Sequence, residues 1–267
     1  MTTNRRRFLL SSVPLGLGAQ QTGRFRWPGG KRAAVSLTFD DARLSHIDTG
    51  IPLLDRLGVA ATFYLTPSNT ERRLSGWKQA AAAGRHEIAH HSDSHPCTGN
   101  YQFSRANALE DYTLSRIAAD IDRATEYFRR ELGVTPVSFA YPCGQKFIGR
   151  GESAQSYVPV VAKRFLTGRG FLDESANDPE LCDLANLMGT DFDGWRFDQM
   201  RAFIETAAKE NRWIIFAGHE IGAPGRQTVL AEELEKLCRY LIDPANGLWT
   251  GTVATVARHL QAERKNK

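Results

Sequence analysis

The sequence contains no apolar run close to the roughly 20 residues that a helix needs to cross a bilayer, so we expect no transmembrane segment in the mature protein. Its 4 cysteines include no Cys-x-x-Cys pair, which argues against a structural zinc ribbon. The 267 residues also lack internal repeats and low-complexity linkers. Because 42% of them are hydrophobic and 24% are charged, the chain can bury a large core, and we expect residues 21–267 to form a single domain.

The chain also carries little net charge. The formal net charge is +4, but Arg5, Arg6 and Arg7 lie in residues 1–20, which contain no acidic residue. The rest of the chain is therefore close to neutral. This balance argues against nucleic acid as the main partner, because proteins that bind nucleic acid through the backbone phosphates usually carry a basic surface.

Residues 1–20 have the features of an export signal. A basic start is followed by a short, moderately apolar segment and by small residues near a possible cleavage point. The pattern Arg5-Arg6-x-Phe8-Leu9 resembles the bacterial twin-arginine signal. We therefore expect an exported protein, periplasmic or secreted, with a flexible basic tail as the alternative interpretation of this segment.

Predicted strands and helices alternate along the chain. Short runs rich in β-branched and aromatic residues indicate buried strands, and apolar residues at helical spacing indicate helices packed on a sheet. Strands are predicted at residues 33–41, 59–65, 87–89, 137–140, near 171, and at 185–190, 213–217 and 248–250. Helices are predicted at residues 47–57, 75–83, 113–132, 156–165, 197–210, 228–242 and 252–263. This order predicts an α/β fold, a deformed (β/α) barrel of about seven parallel strands.

Polar residues cluster where these strands end. Asp40 and Asp41 close the first strand, and His91 and His95 follow the third. Two histidines four residues apart suit a single metal ion, and Asp41 could complete a three-ligand set. Asp40 could then accept the proton of a metal-bound water. An isolated Asp-Asp pair is more often a helix cap or a turn, but the two histidines favour a metal site here.

Four motifs carry a family resemblance. They are TFDD at residues 38–41, HSDSH at 91–95, FAYPCG at 139–144 and IFAGH at 215–219. In that order they resemble the motifs of polysaccharide deacetylases, the NodB-homology domain or carbohydrate esterase family 4. The resemblance covers roughly residues 33–260, and its first two motifs are the most specific.

The resemblance implies a NodB-like barrel that removes acetyl groups, N-linked or O-linked, from a polysaccharide or oligosaccharide. It implies zinc, or alternatively cobalt, nickel or manganese, as the bound divalent metal. Asp40 would be the base and His219 the general acid. The implied ligands are Asp41, His91 and His95.

The third motif would contribute to substrate binding and to the oxyanion. The backbone amide of Cys143 matches the position of the family's backbone donor to the oxyanion, and Tyr141 is a further candidate in the same motif. Trp195 is a candidate for the sugar site because aromatic faces suit pyranose rings, although a buried structural tryptophan is an equal alternative.

The chain departs from the family pattern at three places. The family often has an arginine at the position of Ala140, where it tethers the base; Arg164, Arg169 or Lys163 could replace it from another strand. Ala42 stands where the first motif usually has glycine. The residue that orients the general acid is either Asp193 or Asp191.

A disulfide is a further hypothesis. Cys97 and Cys143 both lie in segments assigned to the site, and an oxidising destination would permit a bridge between them.

Three other functions stay open on the sequence alone. The same metal site could hydrolyse a small amide that is not a sugar. A carbohydrate-binding relative without turnover is also compatible, mainly because the family arginine is missing. Two histidines and a carboxylate also describe the facial triad of iron oxygenases, although the second aspartate argues against that interpretation.

Overall fold

The computed structural model describes residues 25–265, and the export signal expected at residues 1–20 lies outside them. Strands and helices alternate in the described part of the chain. The strands are β1 (Ala33–Asp40), β2 (Thr62–Leu65), β3 (Glu87–His90), β4 (Ser138–Ala140), β5 (Phe147–Ile148), β6 (Gln155–Ser156), β7 (Thr167–Arg169), β8 (Thr190–Asp191), β9 (Trp213–Gly218), β10 (Glu220–Gly222), β11 (Thr228–Leu230) and β12 (Leu248–Thr250). The helices are α1 (Ile51–Leu57), α2 (Pro67–Glu71), α3 (Leu74–Ala83), α4 (Leu114–Leu132), α5 (Val158–Ala162), α6 (Phe197–Lys209), α7 (Ala231–Ile242) and α8 (Val253–Lys265).

One parallel sheet organises the fold. Its strand order is β7-β4-β3-β2-β1-β9-β8, and β12 pairs with the beginning of β1. A single parallel bridge between Arg169 and Leu187 links the end of β7 to the segment that leads into β8. The seven strands therefore curl into a deformed, partly closed barrel, and the predicted fold class is confirmed.

The central strand β1 has two different faces. All of its residues are buried. Val35, Leu37 and Phe39 join the large apolar core beneath the helices, whereas Thr38 and Asp40 alternate with them and face the barrel interior. The Thr38 hydroxyl donates a hydrogen bond to the Phe216 carbonyl oxygen at 2.7 Å. A polar inner face thus leads along β1 to the carboxylate at its end.

Helix α4 closely matches its predicted bounds. The Thr113 side chain accepts a hydrogen bond from the Arg116 amide and caps the first turn, and Gly133 ends the helix with a φ of 67°. The buried stripe consists mainly of Ile117, Ile121, Ala124 and Phe128. The helical spacing of these apolar residues is what made the prediction accurate.

Several predicted elements differ from the structure, three of them near the site. The strand expected near residue 171 ends at Arg169, which places that arginine on the sheet. The strand expected at 185–190 is confined to Thr190–Asp191, because Leu184–Asn186 forms one 3₁₀ turn. The helix expected from residue 228 begins at Ala231, because the preceding residues pair with β10. Strand pairing and turn formation thus decided these bounds.

No helix among residues 25–265 is long and apolar enough to cross a membrane.

Candidate active site

The site lies at the edge of the sheet where the parallel strands end. Asp40 ends β1, His91 follows β3, Arg169 ends β7 and His219 follows β9. Because the carboxyl ends of parallel strands meet at one rim, side chains far apart in sequence converge there. Asp40, His91 and His219 line a cleft with a volume of about 980 Å³, whereas Arg169 is fully buried behind Asp40.

A turn with left-handed backbone brings both aspartates into this cleft. Asp40 is the last residue of β1, and Asp41 and Ala42 have φ values of 77° and 51°. Consecutive side chains on a strand point to opposite faces, so this turn is needed to direct the second carboxylate to the same cavity. Ala42 adopts a conformation that glycine accepts more readily, which explains why glycine is usual at this position.

Asp41, His91 and His95 have the arrangement of a three-ligand metal site. The Oδ1 atom of Asp41 lies 3.5 Å from Nε2 of His91 and 3.4 Å from Nε2 of His95. Two atoms that bind one zinc ion at about 2.0–2.1 Å with tetrahedral geometry lie about 3.4 Å apart. One carboxylate oxygen and two imidazole nitrogens are suitable zinc donors, so the three residues fit a divalent metal.

Partners outside the triad orient two of these candidate ligands. His91 Nδ1 lies 2.9 Å from the Ala140 carbonyl oxygen, which selects the tautomer with a free Nε2. Burial lowers the pKa of His91 to about 4, so its ring is neutral and can bind a metal. Arg43 donates a hydrogen bond to the second carboxylate oxygen of Asp41 at 2.8 Å and leaves Oδ1 facing the histidines.

Arg169 occupies the role that the missing family arginine left open. Its guanidinium is fully buried, forms an ion pair with Oδ1 of Asp40, and donates a second hydrogen bond to the Gly170 carbonyl oxygen at 2.7 Å. Ala140 and Arg169 are directly paired in register on β4 and β7. Residues paired in this way project on the same face of a sheet, so an arginine on β7 can reach the carboxylate of Asp40 as an arginine at position 140 would.

The surroundings of Arg169 are adapted to its size. The guanidinium lies 4.7 Å from the centre of the Tyr64 ring. Gly189 leaves room for the side chain, since a Cβ atom there would approach Cδ of Arg169 to 2.5 Å. The arginine is therefore built into the barrel interior.

The pKa of Asp40 reflects two opposing effects. Burial raises the pKa, but the positive charge and hydrogen bond of Arg169 lower it more, with a further contribution from His219, and the net pKa is below the usual value. Asp40 is thus a buried carboxylate that stays ionised.

His219 is oriented by Asp193. Its Nδ1 lies 2.7 Å from Oδ2 of Asp193, and its backbone amide donates to Oδ1 of the same carboxylate at 3.0 Å. Burial lowers the pKa of His219, but the hydrogen bond to Asp193 and the charge of Asp40 raise it above the usual value. Asp191 also lines the cleft, but its Oδ1 accepts a hydrogen bond from the Asp193 amide and does not bond the imidazole.

Two residues expected at the substrate site lie elsewhere. Tyr141 is fully buried, and its hydroxyl donates to the Ala185 carbonyl oxygen at 2.6 Å, so its side chain does not line the cleft. Trp195 packs edge-on against Phe203 and Phe216 beside the main core, and it also stays outside the cleft lining. Neither side chain therefore contacts this cleft: Tyr141 is in the core, and partly buried Trp195 fits the alternative of a structural tryptophan.

Cys143 lines the cleft, and the expected disulfide between Cys97 and Cys143 is present. The bridge also settles which residues fit a metal. His95, Cys97 and Cys143 bring three donor atoms together, but sulfurs joined in a disulfide are not thiolate ligands. The Asp41, His91 and His95 cluster remains.

The cleft also contains residues that the sequence analysis missed. Tyr101 and Phe103 are 45% and 67% exposed, and their rings stack with centres 5.4 Å apart. Phe171 packs edge-on against the His219 ring, and Leu172 beside it is exposed. Only Phe171 had a usable signal, because a strand was predicted near residue 171 and polar site residues cluster where strands end.

Comparisons with known proteins agree with this geometry. The model of the polysaccharide deacetylase family matches residues 20–152. Comparison with curated protein sequences found no match.

Several solved structures have the same fold at low identity. A Mycobacterium smegmatis protein assigned to the polysaccharide deacetylases is 18% identical with a TM-score of 0.69, and the alignment covers 90% of this chain and 94% of that one. A Bacillus subtilis peptidoglycan deacetylase is 17% identical with a TM-score of 0.55, with 87% and 93% covered. A Clostridium thermocellum acetyl xylan esterase, solved with a cobalt ion, is 18% identical with a TM-score of 0.55, with 86% and 92% covered. These structures share the fold, the family model accounts for the motifs on the first half of the barrel, and the chain belongs to the polysaccharide deacetylase family.

Proposed function

We propose that the protein is a metal-dependent hydrolase that removes acetyl groups, N-linked or O-linked, from a glycan. The observation that carries this proposal is the convergence of Asp41, His91 and His95 on one point at the same rim as Asp40 and His219. A base and an acid, each with its own charged partner, thus flank a site that suits a divalent metal.

The metal is proposed to be zinc, with cobalt, nickel or manganese as alternatives that accept the same donor set. A divalent metal at this site supplies a Lewis acid, which polarises the acetyl carbonyl and makes water more acidic.

Asp40 is proposed as the general base. Its ion pair with Arg169 keeps it ionised, so it can accept a proton from the attacking water. The same ion pair holds the carboxylate in one orientation. Asp40 Oδ2 also lies 4.0 Å from His91 Nε2, which places the base beside the ligand cluster.

His219 is proposed as the general acid. The raised pKa keeps its ring protonated over a wider pH range, and the contact between Nδ1 and Asp193 leaves Nε2 to donate a proton to the leaving amine or alcohol. The Cys143 amide is proposed to donate to the oxyanion as the reaction proceeds.

The shape of the cleft supports an extended substrate. The exposed rings of Tyr101 and Phe103 form an aromatic wall near His95, and Leu172 lines the cleft as well. We propose that the aromatic wall stacks on a sugar ring next to the acetylated one. The carboxylates and guanidinium groups along the remaining wall suit the hydroxyl groups of a glycan.

Export is part of the proposal. The twin-arginine-like pattern in residues 1–20 supports it, and a disulfide is compatible with an oxidising destination such as the bacterial periplasm. Fractionation of cells that express the full chain tests this point, and retention of the protein in the cytoplasm would contradict it.

The decisive experiment measures acetate release from acetylated chitooligosaccharides, peptidoglycan and acetylated xylan by the metal-loaded protein. We expect release from at least one substrate, loss of at least ~100-fold in D40N without loss of bound metal, and little change in S68A, a cleft variant outside the proposed machinery. An absence of acetate release across the panel, with metal bound, would refute the proposal.

A further inference from the structure

We propose that the Cys97–Cys143 disulfide is a positioning element of the active site, which holds a metal ligand and the oxyanion turn in one arrangement. The inference rests on the proposed function, because it assigns these cysteines a role in that same site.

The disulfide joins two loops that the proposed reaction uses together. Cys97 lies two residues after His95 on the segment that follows β3. Cys143 lies in the turn Pro142–Gly144 that follows β4. The two cysteines are separated by 46 residues in sequence, and their Cα atoms are 6.1 Å apart. The covalent bond therefore ties the metal-ligand loop directly to the turn that presents the proposed oxyanion donor.

The His95 ring connects the disulfide to the ligand cluster. Its Nε2 faces Asp41, while its Nδ1 lies 3.7 Å from the Sγ atom of Cys97. The other ligand histidine, His91, is steadied by a backbone carbonyl oxygen at 2.9 Å. Partners of this kind orient ligating imidazoles and contribute strongly to metal affinity. The atom that contacts Nδ1 of His95 is instead the Sγ atom of Cys97, and the disulfide to Cys143 fixes the position of this sulfur.

Each of the two linked loops contains a residue with an unfavourable backbone conformation. His95 has a φ of 49° and Cys143 has a φ of 54°. Residues other than glycine adopt this left-handed region at a cost, and they stay there when the surrounding structure determines the conformation. Both residues supply site atoms, the imidazole in one case and the amide in the other. The disulfide therefore restrains two loops whose displacement would affect both metal binding and substrate turnover.

The fold does not depend on the disulfide alone in this region. The Thr98 amide donates to Oε1 of Gln145 at 2.7 Å and links the same two loops. The backbone of Cys97 is held at both polar atoms, by the Ser104 hydroxyl and by the Leu109 amide. These contacts do not involve the sulfur atoms. Variants without the bridge should therefore fold while losing the precise placement of His95.

The experiment compares the oxidised wild type with C97A/C143A, and uses C182A as the matched control because Cys182 is a free cysteine away from the cleft. Zinc affinity is measured by competition with a chromogenic chelator, and kcat and KM are measured on the best acetylated substrate. We expect the double variant to bind zinc about 10–100-fold more weakly and, at saturating zinc, to lose kcat more than it changes KM. We expect C182A to match the wild type.

Reduction of the wild type gives a second test that needs no substitution. A water-soluble phosphine cleaves the sulfur–sulfur bond, and one water supplies the oxygen of the phosphine oxide and the two hydrogens of the thiols. This test measures manganese affinity, because the freed thiols lie beside His95 and could themselves bind zinc, whereas manganese prefers carboxylate and imidazole donors. We expect manganese affinity to fall on reduction and to recover on reoxidation, with no response in C97A/C143A.

A folded double variant that binds zinc and turns over within about two-fold of the wild type would overturn the inference. Circular dichroism and thermal unfolding establish that the variant is folded, and if it is not, the reduction experiment decides. The zinc competition needs no substrate. A wild type that binds zinc but releases no acetate would thus refute the proposed function without deciding the positioning role.

Discussion

The ion pair between Arg169 and Asp40 permits the sharpest prediction. Substitution R169M removes a fully buried guanidinium and leaves the Asp40 carboxylate desolvated without its main counter-charge. Removing one partner of a buried ion pair costs about 3–5 kcal/mol of unfolding free energy. At roughly 2–4 °C of Tm per kcal/mol for a protein of this size, we expect the Tm to fall by roughly 6–20 °C.

The effect on activity has a separate physical cause. Without Arg169, burial raises the pKa of Asp40, so more of the base is protonated at neutral pH. A positioned general base contributes about 10²–10⁴-fold, and we expect kcat/KM to fall within that range. The loss should be larger at acidic than at alkaline pH. As control, R212M removes an ion pair with Asp178 that is partly exposed, and we expect little change in either quantity.

A double-mutant cycle separates the ion pair from other effects. D40N, R169M and the combined variant are compared by denaturant unfolding. We expect the combined variant to be more stable than the sum of the two single losses predicts, because neither charge is then left unpaired.

The register of β4 and β7 gives a rescue test. Because Ala140 and Arg169 are paired residues, the exchange A140R/R169A should return a guanidinium to Asp40 from the neighbouring strand. We expect it to recover a substantial part of the activity that R169M loses. An R169M variant with unchanged kcat/KM and unchanged acid dependence would refute the assignment of Arg169 as the tether of the base.

Two further predictions concern pH. D193N removes the negative charge of the hydrogen-bonded carboxylate that raises the pKa of His219, so the alkaline limb of the kcat profile should move to lower pH, with a smaller shift in D191N. Identical limbs in D193N and wild type would contradict the role of Asp193. Burial lowers the pKa of His46 to about 4, and its Nε2 donates to the His219 carbonyl oxygen at 2.7 Å. The unfolded chain therefore binds a proton at His46 before the native state does, and stability falls as the pH drops from about 6.5 towards 4, by up to about 1.4 kcal/mol per pH unit. H46Q keeps a donor without this titration, so its unfolding free energy should decline less over that interval, and parallel declines would refute the argument.

Local patterns were sufficient for the central elements of the fold. The eight-residue strand at the centre of the sheet and the long helix α4 were predicted almost to the residue, because period-2 and period-3.6 apolar spacing are local properties. The short strands β4 and β12 were also predicted closely, but β7 and β8 were placed poorly. Such strands exist because a neighbouring strand pairs with them, and the partner is distant in sequence.

Some residues of the candidate site could also be identified from local sequence, whereas others could not. Asp40, Asp41, His91 and His95 were identified from adjacent positions, helical spacing and motif resemblance. The positions of Tyr141 and Trp195 could not be decided in this way, because an aromatic residue near a motif can point to the core or to the cleft with the same sequence.

By itself, the sequence determined the order of strands and helices, the paired aspartates at the end of the first strand and the spacing of the two histidines. The tertiary structure alone decided that Arg169 tethers Asp40, that Asp193 orients His219 and that Cys97 is joined to Cys143. Each of these pairs joins residues at least 26 positions apart. Their proximity depends on strand register and on the curvature of the sheet, and these arise only when the whole barrel packs.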